Sequence, residues 1–153
     1  MREYVVTCCS TADMSRTFME TNEVPFAMFH YQLDGKEYAD DLYSSISPEV
    51  FYKMIGDGAQ PVTSQVNVEA YCALFEPVLK SGKDVLHLTL SSGISGSINS
   101  ANVAKTQMEE KYPDRRVMVV DSLAASSGYG MLVEQTLENQ RAGMSLEENA
   151  AWI

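Results

Sequence analysis

The segment Asp84–Ser97, DVLHLTLSSGISGS, decides the fold class. Its first seven residues are an apolar run of strand length, and serines and glycines follow directly. A helical pattern then starts near Ser97 and continues to about Lys111. A buried strand that passes through a short glycine-containing loop into a helix is typical of α/β proteins.

Similar units occupy the rest of the chain. Strands are predicted at residues 4–7, 24–33 and 116–120, and a short edge strand at 36–39 follows the turn Asp34-Gly35. Helices are predicted at 14–21, 47–55, 67–79 and before 141, and a capping box of Ser145 and Glu148 opens a last one. Pro77 is expected to kink or shorten the third of these helices. The alternation predicts an α/β fold with a largely parallel sheet.

Composition and charge argue against several classes of protein, among them nucleic-acid-binding and membrane proteins. The 153 residues are 45% apolar and carry a formal net charge of −10, spread along the chain. A negative surface repels nucleic acid and anionic lipid headgroups, so neither is expected as a partner. The apolar runs are too short for a signal peptide or a transmembrane helix. With Cys8, Cys9 and Cys72 interpreted as buried thiols, we predict a cytoplasmic protein without stable membrane insertion.

The loop Ser91–Ser97 is a candidate anion site. Ligands of open α/β sheets bind at the carboxyl ends of the strands, where the next helix directs free N–H groups. Serine hydroxyls are neutral donors and suit a carboxylate better than a polyphosphate, and the chain has no phosphate-loop motif. A serine-rich turn that merely caps its helix explains the same residues, and both interpretations stay open.

An enzyme is the main alternative class. Residues 93–97 are similar to the nucleophile elbow of hydrolases but lack its final glycine. The two histidines, His30 and His87, lie in apolar strand-like runs, so a base for Ser95 is not evident. The adjacent carboxylates Asp40 and Asp41 are interpreted as a solvated loop. No catalytic residue, metal site or cofactor is predicted.

Three more hydroxyl-rich turns, at residues 10–13, 63–65 and 121–130, follow other strands or precede helices. Helix capping explains each of them separately. In this order, however, the clusters resemble the DegV family over nearly the whole chain. The resemblance implies a three-layer α/β/α domain. It also implies that residues 1–153 are the N-terminal domain of a two-domain bacterial protein, whose C-terminal lipid-covering domain is absent from this chain.

The resemblance also implies a function. Members of the family enclose a long-chain fatty acid such as palmitate, stearate or oleate, and several present it to a fatty acid kinase for phospholipid synthesis. By motif, Thr63 and Ser95 would hold the carboxylate. The supporting residues would be Ser64, Gly93, Gly96 and Ser126. The sequence departs from the family at Cys9, where an aspartate is usual.

The three hypotheses, a fatty acid carrier, an enzyme and a protein-interaction domain, make different structural predictions. A carrier predicts an apolar, lipid-accessible face beside Thr63 and Ser95. A serine hydrolase or a small-anion-binding enzyme predicts a base or a cation near Ser95. A protein-interaction domain without lipid predicts an exposed apolar patch with no pocket.

Overall fold

The computed structural model describes residues 2–153. The strands are β1 (Tyr4–Cys9), β2 (Phe26–Ala27), β3 (His30–Leu33), β4 (Lys36–Ala39), β5 (Val62–Ser64), β6 (Asp84–Thr89) and β7 (Val117–Asp121). The helices are α1 (Arg16–Thr21), α2 (Pro48–Gly56), α3 (Val68–Lys80), α4 (Ser97–Lys111), α5 (Ser126–Arg141) and α6 (Leu146–Trp152). A 3₁₀ turn, Ser10–Ala12, follows β1 directly.

The main sheet is four-stranded and parallel, in the order β2-β1-β6-β7. Tyr4 pairs with Asp84, and Val85 pairs with Val117, so β6 lies between two strands and every one of its residues is buried. The neighbours of β1, which are β2 and β6, lie on opposite sides of it. In open α/β sheets, ligands bind in the crevice at the carboxyl ends of strands where the connections diverge in this way.

Two pairs of helices cover this sheet. Helix α3 packs on α4 and β6, whereas α5 packs on α6 and β1. The core between the layers contains Tyr71 and Phe75 of α3, and Tyr129 and Val133 of α5. The predicted α/β/α arrangement with a largely parallel sheet is confirmed.

A second, antiparallel sheet of order β4-β3-β5 stands beside the first. The apolar run at residues 24–33, predicted as one strand, is divided between β2 and β3. Residues 62–64, predicted as a loop, form strand β5, in which Thr63 pairs with Tyr31. With α2, which has no buried residue, these strands form a unit that we call the flap, residues 30–64.

The helix ends mostly follow the sequence signals. Ser47 and Asn67 cap α2 and α3, and Ser145 and Glu148 form the predicted capping box. Pro77 was expected to kink or shorten its helix, and the shortening is wrong, because α3 continues through Pro77 to Lys80. Within residues 2–153, no helix has both the length and the apolar character that a membrane crossing requires.

Candidate ligand-binding site

A cavity of about 270 Å³ lies between the flap and the turn that follows β1. The turn contributes Thr11 and Asp13, and Phe29 lies at the base of the flap. The other lining residues belong to the flap: His30, Tyr31, Ala39, Asp40, Asp41, Tyr43, Ile46, Phe51, Pro61 and Thr63. Aromatic and aliphatic groups dominate the walls, and a few polar groups converge on them, as in small-molecule sites generally.

The aromatic wall is built by packing within the flap. The rings of Tyr31 and Tyr38 stack with centroids 5.5 Å apart. The rings of Phe51 and Tyr31 lie nearly perpendicular with centroids 5.4 Å apart, and this packing holds α2 against β3. Burial raises the pKa of Tyr31, and the nearby carboxylates of Asp40 and Asp41 raise it further. The wall therefore stays uncharged at neutral pH.

Three carboxylates also line the cavity. Burial raises the pKa of Asp40; a hydrogen bond with Ser10 opposes this rise, and the charge of Asp13 adds to it. Asp41 accepts hydrogen bonds from the N–H groups of Ser44 at 2.9 Å and Ser45 at 3.2 Å. Burial alone would raise the pKa of Asp41, but these bonds and Arg16 lower it. The lining residues, all within the described chain, include no Lys or Arg.

Thr63 and Ser64 lie on the exposed edge strand β5. Thr63 lines the cavity, and the Ser64 hydroxyl donates to the main-chain oxygen of His30 at 3.4 Å. The N–H of Val66 then donates to the Ser97 hydroxyl at 3.2 Å. The chain segment that carries Thr63 is thus attached to the loop after β6.

That loop is a tight turn around Ser91. The N–H groups of Ile94 and Ser95 donate to the Ser91 main-chain oxygen at 3.0 and 3.1 Å. The half-buried hydroxyl of Ser95 lies 2.9 Å from that of Ser97 and accepts the Ser97 N–H at 3.2 Å. Ser95 is therefore held by its own loop.

Two of the predicted supporting residues, Gly93 and Gly96, belong to this loop. A side chain at Gly96 would come within 2.9 Å of the Gln65 amide, so a glycine allows this close approach. At Gly93 the nearest group would be the Ser91 hydroxyl, at 3.4 Å. Ser126 is exposed at the start of α5. The structure thus brings the loops of residues 64–66 and 91–97 together.

The loop after β7, which leads to Ser126, is hydrogen-bonded to the turn around Ser91. The Asp121 carboxylate accepts the N–H groups of Ser92 at 3.1 Å and Leu123 at 3.0 Å. The N–H of Ser91 donates to the main-chain oxygen of Ala124 at 3.1 Å. Three of the predicted hydroxyl-rich turns therefore share one edge of the molecule.

His87 is part of the core. Its Nδ1 lies 2.9 Å from the Thr7 hydroxyl, and its Nε2 lies 3.8 Å from the Cys9 sulfur. Burial lowers the pKa of His87 to about 3, so the ring is neutral. Across residues 2–153, no hydrogen bond joins Ser95 to a histidine. No cluster of three or more potential metal ligands occurs in the described part of the chain.

The cavity residues differ in how far the sequence indicates them. Thr11 and Asp13 belong to the hydroxyl-rich turn at residues 10–13 that is evident in the sequence, whereas Phe29, Tyr43 and Phe51 look like ordinary packing residues in the sequence. The interpretation of Asp40 as part of a solvated loop is wrong, because Asp40 is half-buried in the cavity wall. Only the aromatic content around residues 29–52, together with acidic residues, hints at a lined pocket.

Comparison with known proteins shows to which family the chain belongs. The profile of the DegV family, described as uncharacterised proteins, matches residues 5–153. A DegV domain-containing protein of Clostridium perfringens is 33% identical over the whole chain, which covers 53% of that relative. The chain spans about half the length of the curated relatives that it matches.

Two solved structures are similar over almost the entire chain. One is a DegV family protein from Thermus thermophilus, described by its fatty acid binding: the identity is 31%, the TM-score 0.86, and the coverage 99% of this chain and 51% of that one. The other is a stearic acid-binding protein from Eubacterium ventriosum, with 29% identity, a TM-score of 0.87, and coverage of 97% and 51%.

Proposed function

Since the chain belongs to the DegV family, we propose that it binds a long-chain fatty acid whose carboxylate is held by Thr63 and Ser95. The acyl tail enters the cavity beneath the flap. The observation that carries the proposal is that Thr63, a residue with a neutral hydroxyl, lines a mainly apolar cavity. The fatty acid binding described for the two solved relatives supports the same ligand class.

The charges of the cavity give the ligand an orientation. Asp13, Asp40 and Asp41 line it, and no lining residue among those described is a Lys or Arg. Like charges repel more strongly in a partly desolvated site than in water, so a carboxylate deep in the cavity is disfavoured. The carboxylate therefore stays near Thr63, toward the loop that carries Ser95, and the uncharged tail points inward. Ser95 itself is not among the residues that line the cavity.

The head-group donors are neutral. A carboxylate accepts up to about four hydrogen bonds, and hydroxyl groups can supply them without an ion pair. The hydroxyls of Ser95 and Ser97 lie 2.9 Å apart, so a ligand oxygen can replace one partner of that contact. Ser64, Gly93, Gly96 and Ser126 shape the surroundings of this head-group site. Affinity comes mainly from the tail, at about 0.8 kcal/mol for each buried methylene.

A cavity of about 270 Å³ is smaller than the roughly 300–1,000 Å³ of pockets that enclose a whole drug-sized ligand. A long acyl chain therefore extends beyond it. We place the remaining cover of the tail in a C-terminal domain, since the curated relatives are about twice as long as this chain. In that two-domain form, the protein presents the acid to a fatty acid kinase and performs no phosphoryl transfer itself.

A protein-interaction domain without lipid is the second candidate. Ile94 and Leu123 are 67% and 77% exposed on neighbouring loops, which is typical of a surface that contacts another molecule. Those loops are joined through Asp121. The cavity lined by Thr63 favours a fatty acid carrier, because a protein-interaction domain without lipid is expected to have an exposed apolar patch and no pocket.

The test is native mass spectrometry of the bacterially expressed chain, followed by solvent extraction and titration with palmitate and oleate. The wild type is expected to retain or take up one fatty acid. The double variant Thr63→Val/Ser95→Ala should lose at least about ten-fold in affinity, since two hydrogen bonds to a charged group are removed. Thr21→Val/Thr106→Val, two exposed threonines elsewhere, is the matched control and should bind as the wild type does. A folded chain that takes up no fatty acid would refute the proposal that this domain binds the ligand by itself.

A further inference from the structure

The hydroxyl group of Tyr129 lies between the ends of β1 and β6. Tyr129 belongs to α5 and is fully buried. Its oxygen accepts the main-chain N–H of Cys9, the last residue of β1, at 3.0 Å. The same hydroxyl donates to the main-chain oxygen of Leu88 in β6. One side chain from the helix layer therefore bridges two neighbouring strands of the sheet.

This bridge takes the place of a hydrogen bond of the sheet. The pairing of β1 with β6 ends at Thr7 and His87, although each strand continues for two more residues. In a regular parallel ladder with this register, the next bond would join the N–H of Cys9 directly to the oxygen of Leu88. The Tyr129 hydroxyl is inserted there, because it can accept from one group and donate to the other. Two hydrogen bonds replace one, so the strands separate at this point.

The separation lies at the switch point of the main sheet. Strand β1 leads through α1 to β2 on one side, whereas β6 leads through α4 to β7 on the other. Open α/β sheets bind ligands in the crevice at the carboxyl ends of two such strands. Each strand stays paired to its end on its outer side, Cys9 with Ala27 and Thr89 with Asp121. The two strands therefore part at this crevice, with the Tyr129 hydroxyl between them.

The two bridged residues lead into the loops that flank the proposed head-group site. Cys9 is followed by the 3₁₀ turn that contains Thr11, a residue of the cavity lining. Leu88 is followed by the turn around Ser91, whose main-chain oxygen accepts the N–H of Ser95 at 3.1 Å. The hydroxyl between the strands thus fixes the distance between the starting points of these two loops.

We propose that Tyr129 is a positioning residue for the fatty acid carboxylate, because its hydroxyl sets the separation of the loops after β1 and β6 and thereby the place of Ser95 relative to the cavity. Tyr129 itself is buried in the core and does not touch the ligand. The inference rests on the proposed fatty acid binding and adds to it a residue outside the head-group site.

The proposal separates the head group of the ligand from its tail. Hydrogen bonds to a carboxylate depend on distance and angle, whereas burial of an acyl tail is non-directional and follows the apolar area removed from water. A shift of the two loops should therefore weaken recognition of the head group and leave most of the contact with the tail. An acid and an alcohol with the same tail distinguish the two effects.

The experiment is a titration of the wild type and of Tyr129→Phe with oleic acid and with oleyl alcohol. Tyr129→Phe removes only the hydroxyl. It should weaken the binding of oleic acid about ten-fold, the factor that one hydrogen bond to a charged group accounts for, and weaken oleyl alcohol much less. Hydrogen exchange of the Cys9 amide should become faster in this variant, which shows that the bridge between the strands is broken.

Tyr4→Phe is the matched control. The Tyr4 hydroxyl lies at the opposite end of β1, where it donates to the main-chain oxygen of Met144 at 3.1 Å and accepts from the Asn149 amide at 3.0 Å. Both variants remove a hydroxyl that makes two hydrogen bonds, and both should lower the melting temperature. Tyr4→Phe should leave the ratio of the two Kd values unchanged. Tyr129→4-aminophenylalanine, which keeps a donor and an acceptor at the same place, should retain the wild-type ratio.

Three results overturn the proposal. One is an equal weakening of oleic acid and oleyl alcohol in Tyr129→Phe, which would make its hydroxyl a stabilising group of the core only. Another is an unchanged affinity for both ligands in that variant, and the third is an equal loss of the acid in Tyr4→Phe. A folded wild type that binds neither ligand is distinct from these results, since it is observed without any variant. That outcome refutes the proposed function and the inference with it.

Discussion

The main-chain N–H of Val66 donates to the side-chain oxygen of Ser97 at 3.2 Å. Ser97 is fully buried, and its oxygen also lies 2.9 Å from the Ser95 hydroxyl. One serine at the first turn of α4 therefore connects the end of the flap to the loop that carries Ser95. The two residues proposed to hold the carboxylate lie on segments that meet at this point.

Replacing Ser97 with alanine should destabilise the protein and weaken binding together. The buried N–H of Val66 would lose its acceptor, which costs about 1–3 kcal/mol. Urea unfolding measures the loss, and Ser100→Ala on the same helix is the control, with little expected change. An unchanged free energy of unfolding in Ser97→Ala would mean that this contact does not hold the two segments together.

The sequence predicted those parts of the fold that are encoded locally. The strand, serine-rich turn and helix of residues 84–111 follow from apolar periodicity and from the glycines, and the structure confirms them. The capping box at Ser145 is equally local. Pro77 does not shorten α3, because it stands in the last turn, where only a few residues follow it.

The cavity could not be predicted in this way. It depends on the antiparallel sheet β4-β3-β5, which brings Thr63 to the same enclosure as Thr11, far away in the sequence. Strand β5 has only three residues, all exposed, so no alternation of apolar and polar residues identifies it. The burial of Asp40 likewise results from tertiary packing, and an adjacent pair of aspartates carries no local sign of it.

Replacing Asp40 with asparagine should stabilise the ligand-free protein at neutral pH. Burial and the charge of Asp13 raise the pKa of Asp40 in the folded state, so the native protein holds this proton at a pH where the unfolded chain has released it. Stability therefore falls as the pH rises from the ordinary pKa of aspartate through the raised one. Asparagine carries no charge to bury, and its side-chain oxygen remains a hydrogen-bond acceptor.

The expected gain at neutral pH is below about 1 kcal/mol, because partial exposure screens the charge. It should diminish as the pH is lowered below the ordinary pKa of aspartate, where Asp40 is protonated in both states. Thermal unfolding across this pH range measures it. Asp34→Asn, in the exposed turn between β3 and β4, is the control. A gain that grows on acidification would contradict the cause assigned to the shift.

Removing Arg16 should loosen the flap. The Arg16 guanidinium donates to the main-chain oxygen of Asp41 at 2.7 Å and so connects α1 to the segment after β4. Arg16→Ala should accelerate hydrogen exchange of the amides in β3 and β4 and leave β6 unchanged. Global stability should change by less than about 1 kcal/mol, since the contact is exposed. Arg116→Ala, which removes an exposed ion pair with Glu147, is the control. Equal exchange in both variants would show that Arg16 does not restrain the flap.

A comparison of two glycines in α5 tests how Thr11 is positioned. A methyl group at Gly130 would lie 2.6 Å from the main-chain oxygen of Ala12 and 2.6 Å from the Met14 sulfur. At Gly128 the nearest atom is the Ala124 methyl, at 3.8 Å, an ordinary contact. Glycine at position 130 therefore lets the helix approach the turn that contains Thr11.

Gly130→Ala should destabilise the protein by about 1–3 kcal/mol, because the turn must shift to relieve the overlap. Gly128→Ala should be neutral or stabilise α5 by up to about 1 kcal/mol, since alanine is the better helix former. The displacement in Gly130→Ala should also weaken fatty acid binding, because Thr11 lines the cavity, while Gly128→Ala leaves it intact. Urea unfolding and titration with oleate measure the two effects. If the two variants behave alike, the close approach of α5 does not set the position of Thr11.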